Sequence, residues 1–170
     1  MQVSRNLVIL IAVFLVGVLV TLGAEWGLKV SPFSTKTEAA GKLTFPAMVA
    51  AAQESVPVIT AEEAYKRLQA DPKTLILDPR DAADIAATTG LIKGAANISY
   101  GTLTYKADNQ VPDSFRDPRL ADRSRPIITA CYSGELGLLA AKLLKDMGFT
   151  NVSAIKGGTV AWKEAGYPVQ

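Results

Sequence analysis

Histidine does not occur in this 170-residue sequence. Its absence removes imidazole general bases, Ser-His and Cys-His dyads, and His metal sites. Cysteine occurs once, as Cys131. A single thiol makes no intrachain disulfide and no cysteine-cluster zinc site. A dominant charge is lacking too: 18 Lys and Arg against 16 Asp and Glu leave a net +2. That balance argues against a dedicated polyanion binder, which concentrates basic charge on one face or stripe, so no nucleic-acid partner is expected. What is present is globular composition, 49% hydrophobic and 20% charged. The length suits one domain with a real core and is short for two.

Long apolar runs are confined to the N-terminus. Leu7 to Leu22 is apolar apart from Gly17 and Thr21, and Arg5 is the only charged side chain before it. With Gly23 and Ala24 the stretch reaches 18 residues, near the lower limit for crossing a bilayer. Trp26 falls where an interfacial aromatic anchors a span. Residues 1–24 therefore read as a transmembrane anchor or a cleaved signal peptide. Length favours the anchor, and Thr21-Leu22-Gly23-Ala24 is a mediocre cleavage site. The expectation is a single-pass cell-membrane protein, held through residues 7–23, with its domain outside the cytoplasm. Cleavage would instead release an exported soluble protein. Residues 25–57 read as a linker with a short helix over Pro46 to Glu54, and residues 58–170 as the folded domain.

Within that domain short strands alternate with helices. Val58-Ile59 reads as a strand and Thr60 as the N-cap of a helix, with Glu63 completing a capping box. Strands are expected at Thr74–Leu77, Ala95–Ile98, Pro126–Ala130 and Val152–Ile155. Helices are expected at Asp81–Ala87, Gly137–Met147 and Val160–Ala165. Residues 101–125, broken by Pro112 and Pro118, read as irregular. Strand-helix alternation implies an α/β domain with a mainly parallel sheet covered on both faces.

Cys131 lies at the carboxyl end of a strand, where open α/β sheets place their sites. The residues after it, Tyr132-Ser133-Gly134-Glu135-Leu136, form a loop leading into a helix. Such a loop can turn successive N–H groups and the positive helix end toward a thiolate, or toward a sulfur anion attached to it. Gly134 permits the tight backbone this needs. On spacing alone Cys131 reads equally well as a small buried hydrophobe.

The order and spacing of several segments resemble those of the rhodanese family, over about Ile59 to Val169. The segments are Ile59–Ala64, Leu75–Arg80, Gly90–Ile98, Cys131–Gly134, Ala140–Leu144, Gly148–Val152 and, most specific, Gly157–Val169. The resemblance implies a rhodanese-like three-layer fold around a five-stranded sheet. It also implies sulfurtransferase chemistry without a cofactor: the loop cysteine takes sulfane sulfur from a donor, becomes a persulfide, and passes the sulfur to an acceptor. The implied partners are a small sulfur-donor anion or a protein persulfide, with the thiol acceptor unidentified. Cys131 matches the catalytic position, and Tyr132, Ser133, Gly134, Glu135 and Leu136 match the cradle. Arg80 matches an Asp-x-Arg segment after the second strand and reads as a donor-binding residue or as a structural partner of Asp78.

Two features depart from the family pattern. Active members usually carry arginine at the sixth loop position, here Leu136, and Glu135 adds a negative charge that opposes anion binding. Arg116, Arg119, Arg123 and Arg125 are candidates to replace the missing charge. A second reading is therefore a catalytically weak binding or regulatory module at the membrane. Phosphatases of the related fold need an arginine six positions after the cysteine. Gly137 stands there, which excludes that activity.

Overall fold

A computed structural model describes residues 43–170 of the chain. The apolar run beginning at Leu7, on which the anchor and signal-peptide readings rest, lies outside the described residues. Among the described residues no helix is long and apolar enough to cross a membrane.

The first element is helix α1 (Phe45–Gln53). The Thr44 hydroxyl caps it by accepting from the Ala47 N–H. Pro46 sits in the first turn, where a missing N–H leaves no bond unmade. The helix expected over Pro46 to Glu54 is thus present, but it does not belong to a linker. Ala52 and Val56 are buried in the core, and Met48 and Val49 pack against it. The compact unit runs from Leu43 to Gln170, so the domain begins about one helix earlier than residue 58. Alanines give a weak apolar signal in sequence, yet they let a helix approach closely.

The chain then alternates β1 (Val58–Ile59), α2 (Ala61–Ala70), β2 (Leu75–Asp78), α3 (Ala82–Ala87), β3 (Ala96–Asn97) and α4 (Tyr100–Lys106). It continues with β4 (Ile127–Thr129), α5 (Glu135–Asp146), β5 (Val152–Ile155) and α6 (Gly158–Glu164). The five strands form one sheet in the order β1-β5-β4-β2-β3, and every neighbouring pair is parallel. The α/β fold with a five-stranded parallel sheet expected from the sequence is the one observed.

Alternation along the strands builds two cores, because successive side chains leave a strand on opposite faces. Leu75, Leu77, Ile127, Val152 and Ala154 join Leu103 of α4 and Leu139 and Leu144 of α5 on one face. Ile76, Ile128 and Ile155 join Ala64 of α2 and Trp162 of α6 on the other. Trp162 is almost fully buried. Its indole N–H donates to the Pro168 carbonyl at 3.0 Å, and Tyr65 and Tyr167 stack beside it with centroids 4.2 Å apart. These contacts fold the C-terminal tail back over α6, so Val169 pairs with Ile92.

Two local outcomes differ from the sequence reading. The stretch 101–125 is not wholly irregular: most of α4 lies in it, as does a 3₁₀ turn at Pro118–Leu120. Gly101, Thr102 and Thr104 are poor helix formers, but burial of Leu103 and Ala107 overrides propensity. Helix α5 starts at Glu135 rather than Gly137, so Glu135 and Leu136 belong to its first turn instead of the loop. Its other end matches expectation. Gly148 adopts φ +91°, and Phe149 N–H donates to Leu144 O at 3.0 Å while Gly148 N–H donates to Lys145 O at 2.9 Å. That is a Schellman termination.

Candidate functional site

Strand β4 delivers Cys131 to the carboxyl edge of the sheet, directly before α5. The residue is 3% exposed, yet it lines an open cleft of about 330 Å³ together with Arg80, Tyr132, Ser133, Glu135 and Leu136. The sequence-identified residues other than Gly134 therefore meet at one cleft. Gly134 is placed beneath it: its N–H donates to Cys131 Sγ at 3.1 Å.

That bond requires the left-handed backbone at Gly134, φ +114°. An L side chain there would be strained, and a Cβ would also press on Gly157 N and Ile155 O at 3.2 Å. Gly134 then serves as N-cap of α5. The N–H groups of Tyr132, Ser133, Glu135, Leu136 and Gly137 have no acceptor among the described residues. Together with the positive end of a 12-residue helix, they leave unused donors in the loop and first helical turn that follow the thiol. Such an arrangement stabilises negative charge.

The first turn of α5 is held close to the strand. The buried Thr129 hydroxyl donates to Gly137 O at 2.7 Å. A Cβ on Gly137 would lie 3.2 Å from Cys131 N, so the position six after the cysteine is tight even for one methyl group.

The N-terminus of α6 closes the loop from the other side. Thr159 N–H donates to Cys131 O at 2.7 Å, and Val160 N–H donates to Tyr132 O at 3.1 Å. The Thr159 hydroxyl also donates to Cys131 O, at 3.2 Å. Gly158 makes this approach feasible, since a Cβ on it would stand 2.1 Å from Cys131 O and 2.7 Å from Tyr132 O. Sequence reading did not include Thr159 in the site. The paired glycines before a helix were the available signal.

Arg80 is 3% exposed and fully engaged. Its Nε–H and one Nη–H donate to the Asp78 carboxylate at 3.0 and 2.6 Å. The remaining N–H groups donate to Thr88 Oγ1 at 2.8 Å, Thr89 Oγ1 at 3.2 Å and Gly90 O at 2.8 Å. A guanidinium has five N–H donors, and each has an acceptor within the protein. The Thr89 hydroxyl lies 2.5 Å from the Thr159 hydroxyl, so this ion pair is linked through two threonines to the Cys131 carbonyl. Asn97 completes the brace by donating to Asp78 O and Arg80 O.

The other candidate arginines do not supply the missing loop charge, and none of them lines the cleft. Arg116 and Arg119 pair with Asp113 and Asp117. Arg123 donates to Met147 O and stacks over Phe149, and Arg125 donates to Lys73 O. All of these contacts belong to the 106–126 connection and its supports. Nearby charge in sequence did not become nearby charge in space.

A family model for the rhodanese-like domain matches residues 60–165. The thiosulfate sulfurtransferase GlpE of Actinobacillus succinogenes is 30% identical over 112 residues, 66% of this chain and 88% of that protein. A Rhodopseudomonas palustris structure, of a protein of unknown function named as a possible tyrosine phosphatase, aligns with TM-score 0.68 and 30% identity. It covers 75% of this chain and 94% of that one. The homodimeric polysulfide-sulfur transferase of Wolinella succinogenes aligns with TM-score 0.57 and 27% identity, over 78% of this chain and 88% of that one.

Proposed function

The chain belongs to the rhodanese-like domain family, and from that premise we propose that it is a sulfurtransferase carrying sulfane sulfur as a persulfide on Cys131. The observation that carries the reading is Cys131 in the lining of an open cleft, its Sγ accepting from the Gly134 N–H, in a loop and helix start whose Tyr132, Ser133, Glu135, Leu136 and Gly137 N–H groups have no acceptor among the described residues. The Cys131 thiolate attacks the sulfane sulfur of a donor. The new bond is Cys131 Sγ–S, the donor's own bond to that sulfur breaks, and the electron pair leaves on the donor remnant. The persulfide extends about 2 Å beyond Sγ into the cleft, and the free N–H donors stabilise its charge without reorganising. Arg80 acts here as a positioning residue, since its donors are engaged with Asp78, Thr88, Thr89 and Gly90.

The names of the relatives support thiosulfate or polysulfide as donor chemistry. The phosphatase name of the Rhodopseudomonas structure does not transfer, because Gly137 occupies the position a phosphate-binding arginine needs. A second reading, a catalytically weak module, draws on one observation: among the described residues no unpaired cation lines the cleft. Incubation with thiosulfate or polysulfide separates the two, since only the first reading predicts sulfur uptake that is lost in Cys131→Ser.

Membrane tethering through residues 7–23, with the domain outside the cytoplasm, is part of the same proposal. Its support is the apolar run behind Arg5. Full-length protein in the membrane fraction is the expected result. A soluble product beginning near Glu25 would show that the segment is cleaved.

A further inference from the structure

The charges around the cleft bear on which acceptor receives the sulfur. Asp84 and Glu135 both line it and both are exposed. Neither carboxylate pairs with a cation among the described residues. The only cation in the lining among the described residues, Arg80, is matched by buried Asp78. Lys156, unpaired among the described residues, lines a separate hollow with Val49 and Val58, to which Glu135 also contributes. The cleft therefore carries two carboxylates without a cation partner among the described residues; Glu135 sits in the first turn of α5 and accepts from the Ser133 hydroxyl at 2.5 Å, and Asp84 is the one confined to the cleft. Its rim includes two exposed aromatics, Phe45 at 51% and Tyr132 at 47%, and an aromatic face attracts a cation.

Resting on the sulfurtransferase reading, we propose that this cleft selects acceptor thiols carrying a positive charge close to their sulfur, with Asp84 and Glu135 as the specificity-determining residues. The acceptor thiolate attacks the outer sulfur of the Cys131 persulfide. A sulfur-sulfur bond forms on the acceptor, the Sγ–S bond breaks, and its electron pair returns to Cys131 as thiolate. The acceptor leaves as a persulfide and no external oxidant or reductant is consumed. Both carboxylates stabilise a cationic acceptor on approach and repel an anionic one. Two unit charges separated by several Å near a protein surface shift a rate by roughly two- to tenfold each.

The test begins with full-length protein loaded at Cys131 by polysulfide, loading being read by intact mass. Transfer rates are then measured to cysteamine, 2-mercaptoethanol and 3-mercaptopropionate, which are cationic, neutral and anionic thiols of similar size. Differences in intrinsic thiol reactivity cancel when the cationic-to-anionic ratio is divided by that of Asp84→Asn/Glu135→Gln. The expected quotient is about tenfold or more; most of it appears when Asp84→Asn alone is the divisor, and it is reduced by added salt. Arg-Cys-Arg and Glu-Cys-Glu peptides form a second pair. A larger quotient for the peptides assigns the selection to a protein-borne cysteine, and a larger one for the small thiols assigns it to a free aminothiol. A quotient near one in both pairs, with Cys131 fully loaded, overturns the charge selection and leaves the sulfurtransferase reading standing. Failure of Cys131 to load with thiosulfate or polysulfide overturns both.

Discussion

Substituting Gly158 by alanine probes the closest approach in the site. Two effects combine there. The backbone has φ +58°, and the left-handed region costs an L-residue roughly 1–2 kcal/mol. The new Cβ would also stand 2.1 Å from Cys131 O, 2.7 Å from Tyr132 O and 2.8 Å from Gly134 N. All three are backbone atoms that cannot rotate away, and such overpacking costs about a further 1–3 kcal/mol. Gly94 is the control, because it has φ +82° and nothing within 4 Å of its Cβ position. Gly94→Ala should therefore show the conformational cost alone, and Gly158→Ala should lose about 1–3 kcal/mol more in urea unfolding. Relief of the clash must push the cysteine loop off α6, breaking the Thr159 and Val160 N–H bonds to it. Sulfur uptake at Cys131 should fall in Gly158→Ala and not in Gly94→Ala. Equal destabilisation in the two variants, with uptake unchanged in both, would refute the close packing of α6 on the loop.

Other consequences are open to direct measurement. Leu136→Arg places a cation on the cleft wall; one charge-assisted hydrogen bond to a donor anion, about 1.5–3 kcal/mol, should raise kcat/KM for thiosulfate roughly tenfold or more. Unchanged thiosulfate kinetics would mean that missing positive charge does not limit the loop. The Arg119 guanidinium and backbone N–H hold the Asp117 carboxyl below its ordinary range. A depressed native value means the unfolded chain binds the proton first, so this stabilisation is complete above about pH 4. It is lost as the pH falls through the native value. Asp117→Asn should be less stable than the parent at pH 7 and equal to it in strong acid, which denaturation at the two pH values checks. Removal of residues 1–42 should leave a cooperatively folding unit, whereas truncation before Trp162 should abolish the thermal transition. Trp162 and the Tyr65–Tyr167 stack close one face of the sheet, and the indole alone buries area worth a few kcal/mol, at about 25 cal/mol per Å².

Much of the fold was legible because its signals are local. Thr60 caps α2 through the Glu63 N–H, Gly148 ends α5, and the paired apolar residues of β2 and β4 alternate between two cores. What was missed, the place of α1 in the domain and the existence of α4, depends on contacts far along the chain. Helix α1 is held by packing beside α5, and α4 by burial of Leu103 among poor helix formers. The site followed the same division. Cys131 and its loop could be read from a strand running into a helix. Thr159 could not, because its link to the Cys131 carbonyl spans 28 positions. Arg80 lines the same cleft as Cys131, but the engagement of its five N–H groups became visible only once Thr88, Thr89 and Gly90 were seen around it.

The most direct test of the central claim is the intact mass of the protein after incubation with thiosulfate or polysulfide. Cys131 is the sole cysteine, so a sulfur adduct needs no mapping among thiols. The expected result is a gain of one sulfur atom. It should be absent in Cys131→Ser and removed by cyanide as thiocyanate, which separates it from oxidation of methionine. An unchanged mass with either donor, in protein that unfolds cooperatively, would contradict a persulfide-carrying Cys131.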